Sequence, residues 1–167
     1  MHKLYLALGS NIGDRAANLQ AAIKAVKPEV NATRCSPVYE TPPWGYHDQP
    51  RFLNQVVEAE TDLAPSDLLD HLKRIEKLLG RERTFKNGPR IIDLDIIFYN
   101  DLVINTPPLV IPHPHMSERA FVLIPLAAIA PNLNHPIFKV TVAEMLDKVD
   151  SSGISEFSPE GCDEKQD

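Results

Sequence analysis

The chain has 167 residues, of which 43% are hydrophobic and 24% charged, so it can form one globular domain with a sizeable core but has little room for a second. Its formal net charge of −6 argues against broad nucleic-acid binding, which needs Lys and Arg clustered over a wide face. No segment approaches the roughly 18 uninterrupted apolar residues of a membrane span, and the first residues become polar too early for a signal peptide, so we expect a cytoplasmic protein.

The spacing of the apolar residues predicts four strands and two helices. The segments with the alternation or the β-branched content of strands are 3–10, 32–39, 52–61 and 91–99. Two segments repeat apolar residues at helical spacing. The first helix begins after Asp14, which can cap it, and ends before Pro28. The second begins at Pro65 and ends before Gly80.

The element order is β-α-β-β-α-β, which indicates a ferredoxin-like α+β fold with an antiparallel sheet and both helices packed on one face. Residues 106–150 add an extension of Pro-broken loops and short helices. We therefore expect a single domain over residues 1–150. Residues 151–167 are polar and acidic, and we expect them to form a disordered tail.

The fourth predicted strand carries two acidic residues, Asp93 and Asp95. Successive side chains of a strand point to opposite faces, so the two carboxylates share one face and lie about 6–7 Å apart. A half-exposed strand would explain them, but the neighbouring residues are apolar on both faces. Like charges on a covered strand are costly unless a cation lies between them. Carboxylates suit magnesium, which shares its other positions with water and substrate phosphates, so we predict metal binding here.

Three arginines, Arg81, Arg83 and Arg90, surround the Gly-Pro turn that leads into this acidic strand. A single loop arginine is usually just solvated. Guanidinium groups, however, bind phosphate oxygens through two parallel hydrogen bonds, and arginine with a metal ion is the usual equipment of phosphoryl transfer. The combination therefore indicates chemistry on a phosphorylated ligand.

His113 and His115 stand in the segment VIPHPHMSERAF, and their spacing allows three interpretations. They could bind zinc together with the aspartate pair. They could be loop histidines that only hydrogen-bond the backbone. We favour the third interpretation, a contact with a phosphate or leaving group beside Arg119.

A few other side chains could face a ligand. Glu76 lies near the apolar stripe of the second helix, where it either forms a buried hydrogen bond or touches the ligand. Phe52 and Asn54 begin a strand, and Phe121 lies on a later segment. Aromatic residues usually belong to the core, but two of them with an amide nearby could sandwich a flat heterocycle and bind its polar edge.

Two rival functions remain open at this point. A metal-dependent hydrolase would use the aspartate pair with His113 and His115, and it would need zinc or manganese but no ATP. A non-enzymatic ferredoxin-like module could bind RNA across its sheet. That module would need aromatic and basic residues on the central strands, where this chain has aspartates.

Distinctive motifs run through residues 3–131, and they read LALGSNIGD, YETPPWG, DQPRFLNQVV, RIEKLLGR, GPRIIDLDIIFY, INTPPLVIPHPHM and ERAFVLIPL. In this combination the sequence closely resembles the 6-hydroxymethyl-7,8-dihydropterin pyrophosphokinase family of the folate pathway. The resemblance implies that the β,γ-pyrophosphoryl unit of ATP moves to the hydroxymethyl group of the dihydropterin and that AMP leaves. It implies ATP as co-substrate, two magnesium ions and small-molecule partners only, and we expect a monomer.

The same resemblance implies roles for individual residues. Both magnesium ions are bound by Asp93 and Asp95. The triphosphate is contacted by Arg81, Arg90 and His113, with Arg83 and Arg119 as movable helpers. The residues near the nucleotide are Gln49, Lys73, Glu76, Ile97 and His115. The pterin is held by Thr41, Pro42, Pro43, Phe52, Asn54 and Phe121. One departure is Asn87, which stands where many relatives have tryptophan.

Overall fold

The computed structural model describes residues 1–82 and 84–157. Its strands are β1 (His2–Ser10), β2 (Val30–Cys35), β3 (Tyr39–Thr41), β4 (Phe52–Thr61), β5 (Asp93–Tyr99), β6 (Ile104–Thr106), β7 (Leu109–Ile111) and β8 (Ser155–Glu156). Its helices are α1 (Arg15–Ala25), α2 (Pro65–Leu78), α3 (Ala120–Ile129) and α4 (Val142–Leu146). None of the helices in the described part of the chain is long and apolar enough to cross a membrane.

An antiparallel sheet organises the fold. Its strands are ordered β5-β1-β4-β3-β8, with β2 also paired to β4, while β6 and β7 form a separate two-stranded sheet. The predicted antiparallel α+β architecture is therefore confirmed. The prediction of one strand over 32–39 is wrong, because residues 36–38 separate β2 from β3. Ser36 exchanges hydrogen bonds with Val56 of β4, and Pro37 has no N–H to continue the ladder.

Helices cover both faces of the sheet. On one face, α1 and α2 pack over β1 in a core that includes Leu8, Leu19 and Leu68, as the sequence predicted for the two helices. On the other face, α3 and α4 pack in a second core that includes Val56 and Leu123. The extension after residue 106 therefore supplies a second helical layer over the sheet.

A β-bulge shapes strand β5. Ile96 and Phe98 pair with neighbouring residues of β1, so Ile97 has no direct partner in that ladder. Ile97 and Phe98 both pack in the core on the α3 side of the sheet, whereas Ile96 packs on the α1 and α2 side. The bulge thus keeps a buried hydrophobic floor beneath α3, next to the acidic end of β5.

The predicted helix ends are confirmed. Asp14 caps α1, and its carboxylate accepts a hydrogen bond of 3.1 Å from the backbone N–H of Ala17. Pro65 is the first residue of α2, where its missing N–H costs no helical hydrogen bond. Gly80 follows α2 with a φ of +99°, a conformation that glycine adopts without strain.

The prediction that residues 151–167 form a disordered tail is wrong for residues 155–157. Ser155–Glu156 forms β8, which pairs with Tyr39 and Glu40 of β3. The backbone N–H of Phe157 donates to the Val38 carbonyl at 2.7 Å, so the ordered chain extends at least to residue 157. The same prediction for residues 158–167 lies outside the described residues.

Candidate active site

The acidic pair lies at the start of β5. Asp93 and Asp95 pair with Gly9 and Ala7 of β1 and line one cleft of about 580 Å³. Leu94, between them, packs on the opposite face in the core beneath α1 and α2. The strand alternation predicted from the sequence is therefore confirmed, and both carboxylates face the α3 side of the sheet.

The two carboxylates are electrostatically unfavourable neighbours. The pKa of Asp95 is raised well above its ordinary value, first because the group is buried and then because Asp93 and Glu76 are negatively charged. A hydrogen bond with Asp93 raises the pKa of Asp95 further, and the positive charge of Arg119 opposes these effects. The site therefore favours the arrival of additional positive charge at Asp95.

Arg81 compensates the charge of Asp93 directly and that of Asp95 more weakly. Its guanidinium lies 2.8 Å from carboxylate oxygens of both Asp93 and Glu76. Burial by itself lowers the pKa of Arg81, but the charges of these two carboxylates outweigh burial and raise it, so the group stays protonated. Glu76 also accepts a 2.7 Å hydrogen bond from the backbone N–H of Leu94. Of the two roles considered for Glu76, the structure therefore shows the buried hydrogen bond.

Arg90 lies on the other side of Asp93. Its Nε is 3.5 Å from an Asp93 carboxylate oxygen, and its guanidinium carbon lies 5.2 Å from the centre of the Phe52 ring. Its backbone N–H donates to the side chain of Asn11 at 2.8 Å. Within the described residues, the buried Nε of Arg90 has no hydrogen-bond partner, so it keeps a donor for an anionic ligand.

Arg119 has the same property. Its buried Nε has no hydrogen-bond partner among the described residues, and burial lowers its pKa while Asp95 and Asp93 oppose that effect. The guanidinium carbon lies 5.7 Å from the ring centre of Trp44 and 5.6 Å from that of Phe121. Arg119 is thus held between aromatic rings with a donor available, as a phosphate-binding group would be.

His113 is neutral at physiological pH. Its pKa is lowered to about 4, first by burial and then by the positive charges of Arg119 and His115, with Asp93 opposing them. Its Nδ1 accepts a 3.2 Å hydrogen bond from the backbone N–H of His115, which places the proton on Nε2. His113, which lines the cleft, therefore offers an uncharged N–H donor there.

The zinc interpretation of the two histidines lacks a third ligand. His115 is more than half exposed and pairs with Glu118 at 3.8 Å. Residues 1–82 and 84–157 contain no group of three or more His, Cys, Asp or Glu side chains that could hold a metal ion. Structural and catalytic zinc sites use at least three protein ligands, so the rival hydrolase loses its metal centre.

Apolar and amide side chains also line this cleft. Phe52 and Asn54 come from β4 and Phe121 from the start of α3. The Thr41 hydroxyl donates a 2.6 Å hydrogen bond to Asn54 Oδ1, which fixes the orientation of the amide. Gly9 lies against this amide, because a Cβ at Gly9 would come within 2.9 Å of Asn54 Nδ2. Pro42 lines the same cleft.

Three further predicted residues are Ile97, Lys73 and Arg83. Ile97 is buried in the floor of the cleft. Lys73 lines a neighbouring basic cleft of about 840 Å³, which it shares with Glu76, Arg81 and Arg90. Arg83 lies outside the described residues.

Gln49 ties loops together. It accepts from Asn11 at 2.8 Å and donates to the Asn87 carbonyl at 2.6 Å, so it links the loops 9–13, 44–50 and 81–90. Two further site residues, Asn11 and Trp44, were not predicted from the sequence. Trp44 lines the cleft against Phe121, and their ring centres are 6.0 Å apart. As the only tryptophan of the chain, next to two prolines, Trp44 could have been noticed.

Comparison with known proteins gives consistent matches. A family model described as 7,8-dihydro-6-hydroxymethylpterin-pyrophosphokinase matches residues 5–131. Two proteins named 2-amino-4-hydroxy-6-hydroxymethyldihydropteridine pyrophosphokinase are similar to this chain over nearly the whole length of each protein. The one from Aquifex aeolicus is 44% identical, covering 86% of this chain and 90% of that protein. The one from Methylorubrum extorquens is 47% identical, covering 92% and 98%.

Some relatives are much longer than this chain. The Folic acid synthesis protein FOL1 of Dictyostelium discoideum is 47% identical over 85% of this chain, which spans only 22% of that protein. A crystal structure of Plasmodium falciparum HPPK-DHPS has a TM-score of 0.72 at 20% sequence identity, and the match covers 88% of this chain and 44% of that one. That structural likeness supports the fold.

The strain at the acidic pair predicts that Asp95→Asn stabilises the protein in the absence of divalent cations. The folded-state pKa of Asp95 is raised. Ionisation of Asp95 therefore destabilises the fold as the pH rises from the ordinary pKa of an aspartate through the raised pKa of the folded state. Asparagine avoids this loss, and we expect a gain of about 1 kcal/mol at pH 7.5 in EDTA. Urea unfolding would measure it.

The gain should shrink as the pH is lowered towards the ordinary pKa of an aspartate, because Asp95 then becomes protonated and loses its unfavourable charge. Leu94→Ala, in the adjacent core position, is the matched control and should lower stability at every pH of the series. An Asp95→Asn protein no more stable than the parent at pH 7.5 would contradict the electrostatic interpretation.

Proposed function

The chain belongs to the 7,8-dihydro-6-hydroxymethylpterin-pyrophosphokinase family and is an ATP-dependent pyrophosphokinase of folate synthesis, and from this premise we propose how its residues carry the reaction. The substrates are ATP and 6-hydroxymethyl-7,8-dihydropterin, and the products are the pterin diphosphate and AMP. One observation carries the proposal: a single cleft is lined by aromatic and amide side chains, by arginines and by two carboxylates.

The aromatic and amide side chains of the cleft bind the pterin. Phe52 and Phe121 supply flat surfaces for the two ring faces, as aromatic side chains do for heterocycles. Asn54, whose Oδ1 is held by Thr41, presents its amide to the polar edge of the ring. Backbone groups around Pro42 and Pro43 complete that edge. In this pose the hydroxymethyl group points towards the aspartates.

The arginines and His113 bind the triphosphate. Arg90 and Arg119 have buried donors without protein partners among the described residues, and His113 adds a neutral donor. Arg81 keeps its charge beside Asp93. Arg83 assists these groups in the proposal. These donors neutralise the charge that develops on the phosphate oxygens during transfer.

The nucleotide itself extends towards the basic cleft beside α2. Lys73 and Arg81 line that cleft. Ile97 contributes apolar floor to the main cleft, and His115 offers an exposed ring to the nucleotide. Glu76 and Gln49 act indirectly in this proposal. Glu76 positions Arg81, and Gln49 holds the surrounding loops.

Asp93 and Asp95 fit two magnesium ions. The donor set among the described residues consists of two carboxylates without a third protein ligand, and the raised pKa of Asp95 indicates a shortage of positive charge. That arrangement suits a hard cation that keeps several waters and shares phosphate oxygens. When bound, magnesium neutralises the triphosphate and acidifies the attacking hydroxyl, so no strong protein base is needed.

The loops around the cleft exclude water. In the reaction the pterin hydroxyl oxygen forms a bond to the β-phosphorus while the bond from that phosphorus to the AMP oxygen breaks, and water at this position would hydrolyse ATP instead. Gln49 joins three loops, and Tyr46 packs edge-on against Phe85 with ring centres 4.8 Å apart. Gly45 allows this close approach, since a Cβ there would lie 2.5 Å from the Asn87 side chain.

We further propose that the protein acts as a monomer, because one chain supplies every protein group that the proposed site uses. We also propose that it acts in the cytoplasm. No nucleic acid or membrane takes part in this proposal.

AMP release tests the proposed reaction directly. The wild-type protein should release AMP from ATP only when both magnesium and hydroxymethyl-dihydropterin are present. Asp93→Asn and Asp95→Asn should each lower the rate by about 10²–10³-fold, the loss typical of removing one preorganised charge-stabilising group, while circular dichroism stays unchanged. AMP formation at the wild-type rate by either variant would refute the assignment.

Arg90→Ala should impair turnover far more than Lys86→Ala. Arg90 contacts Asp93 and lines the cleft, whereas Lys86 is exposed on the same loop. We expect about 100-fold for Arg90 and less than about threefold for Lys86, measured as kcat/KM for ATP. Similar losses in both variants would indicate a diffuse effect of loop charge.

Phe121→Ala should chiefly weaken pterin binding. Stacking on an aromatic side chain contributes about 1–3 kcal/mol per heterocycle, so the pterin Kd should rise by roughly 5–150-fold. Calorimetry with a non-hydrolysable ATP analogue present would measure it, and Phe138→Ala, an exposed aromatic 54% accessible, is the control. Unchanged pterin affinity would remove Phe121 from the site.

A further inference from the structure

We propose that residues 153–157 form a brace that positions the pterin-binding strands, so that this segment sets the affinity for the pterin. The segment lies beyond the residues that the family model matches, which end at 131. The inference rests on the proposed pterin site and adds to it a set of positioning residues, none of which touches the substrate.

The brace pairs with the strand that carries one wall of the cleft. In the β3–β8 ladder, Glu156 lies opposite Tyr39 and Ser155 opposite Glu40. One residue further on, the Phe157 N–H donates to the Val38 carbonyl at 2.7 Å. β8 therefore covers the edge of β3 that does not pair with β4.

The other edge of β3 holds the residues assigned to the pterin. Thr41 lies opposite Phe52 and Tyr39 opposite Asn54 in the β3–β4 ladder, and the Thr41 hydroxyl orients the Asn54 amide. β3 has only three residues. So short a strand at a sheet edge is poorly held by one neighbour, and a shift of β3 would move the Thr41 hydroxyl away from Asn54.

A second set of contacts joins the brace to β4. The guanidinium of Arg51, the residue before Phe52, donates to the carbonyl of Gly153. Gly153 also lies against the pocket wall, because a Cβ built there would be 3.5 Å from Pro42. Its φ of +82° is a conformation that favours glycine. The chain thus approaches Pro42 and Arg51 at one point.

An ion-pair cluster and an aromatic side chain complete the brace. Glu40 of β3 accepts from Arg15 at 2.8 Å and lies 3.8 Å from Arg51. The Arg15 guanidinium carbon is 5.8 Å from the centre of the Phe157 ring, and Phe157 packs against the core beneath α1 and α2. The segment is therefore anchored by its ring and connected to both pterin-binding strands.

The segments that carry the triphosphate-binding groups lie elsewhere in the sheet, although the Arg90 guanidinium itself lies over the Phe52 ring. Arg81, Arg90 and Asp93 belong to β5 and the loop before it, on the far side of β1 from β3. Loosening the brace should therefore disturb pterin binding selectively. A merely structural role would lower stability without distinguishing between the two substrates.

Steady-state kinetics of full-length variants tests the proposal. In Phe157→Ala and in Arg51→Ala we expect the KM for the pterin to rise about tenfold, the size of effect that a sub-ångström misplacement of positioning groups produces. The KM for ATP and kcat should stay within about twofold. Phe157→Leu, which keeps an apolar anchor, and Arg51→Lys, which keeps a donor for Gly153, should recover most of the affinity. Phe138→Ala is the control for loss of an aromatic ring.

The outcomes separate this inference from the proposed reaction. A wild-type protein that forms no AMP would remove the reaction and the brace together. If the wild type is active but both variants keep the parental pterin KM, the brace is refuted and the reaction stands. Equal losses for ATP and pterin would also refute it. Should Phe157→Ala fail to fold, Arg51→Ala, at a side chain that is more exposed, decides the question by itself.

Discussion

Two partly buried carboxylates on one face of a strand impose the constraint on which the rest of the structure depends. Asp93 is paired with Arg81 and Arg90, whereas for Asp95 burial and the neighbouring negative charges outweigh the positive charge of Arg119. A protein selected for stability alone would place an apolar residue there. Keeping the pair is understandable if a ligand brings cations, which is what a magnesium-bound nucleotide does.

The sheet places both substrates around this pair. β1 lies between β5 and β4, so the carboxylates of β5 and the amide of Asn54 on β4 face the same cleft beneath α3. The glycine at position 9, between them on β1, leaves room for that amide. Phosphoryl transfer asks a protein mainly for alignment and charge neutralisation, and neighbouring antiparallel strands supply a rigid frame for both.

Local signals in the sequence predicted much of this arrangement. The alternation around Leu94 placed both aspartates on one face, and Asp14 marked the start of a helix, because both features depend on residues close in sequence. The break at Pro37, the pairing of β8 with β3 and the Glu76–Arg81–Asp93 chain were not predictable in this way. The Ser36–Val56, β3–β8 and Arg81–Asp93 contacts each join residues 12 or more apart in the sequence, whose proximity only the tertiary fold creates.

The central claim is that Asp93 and Asp95 are tolerated because cations carried by the nucleotide neutralise them. A crystal structure with a non-hydrolysable ATP analogue and magnesium tests it most directly. The account predicts carboxylate oxygens of both residues at about 2.0–2.1 Å from magnesium ions that also bind phosphate oxygens. Carboxylates that remain bonded only to Arg81, Arg90 and each other, with the nucleotide bound elsewhere, would contradict it.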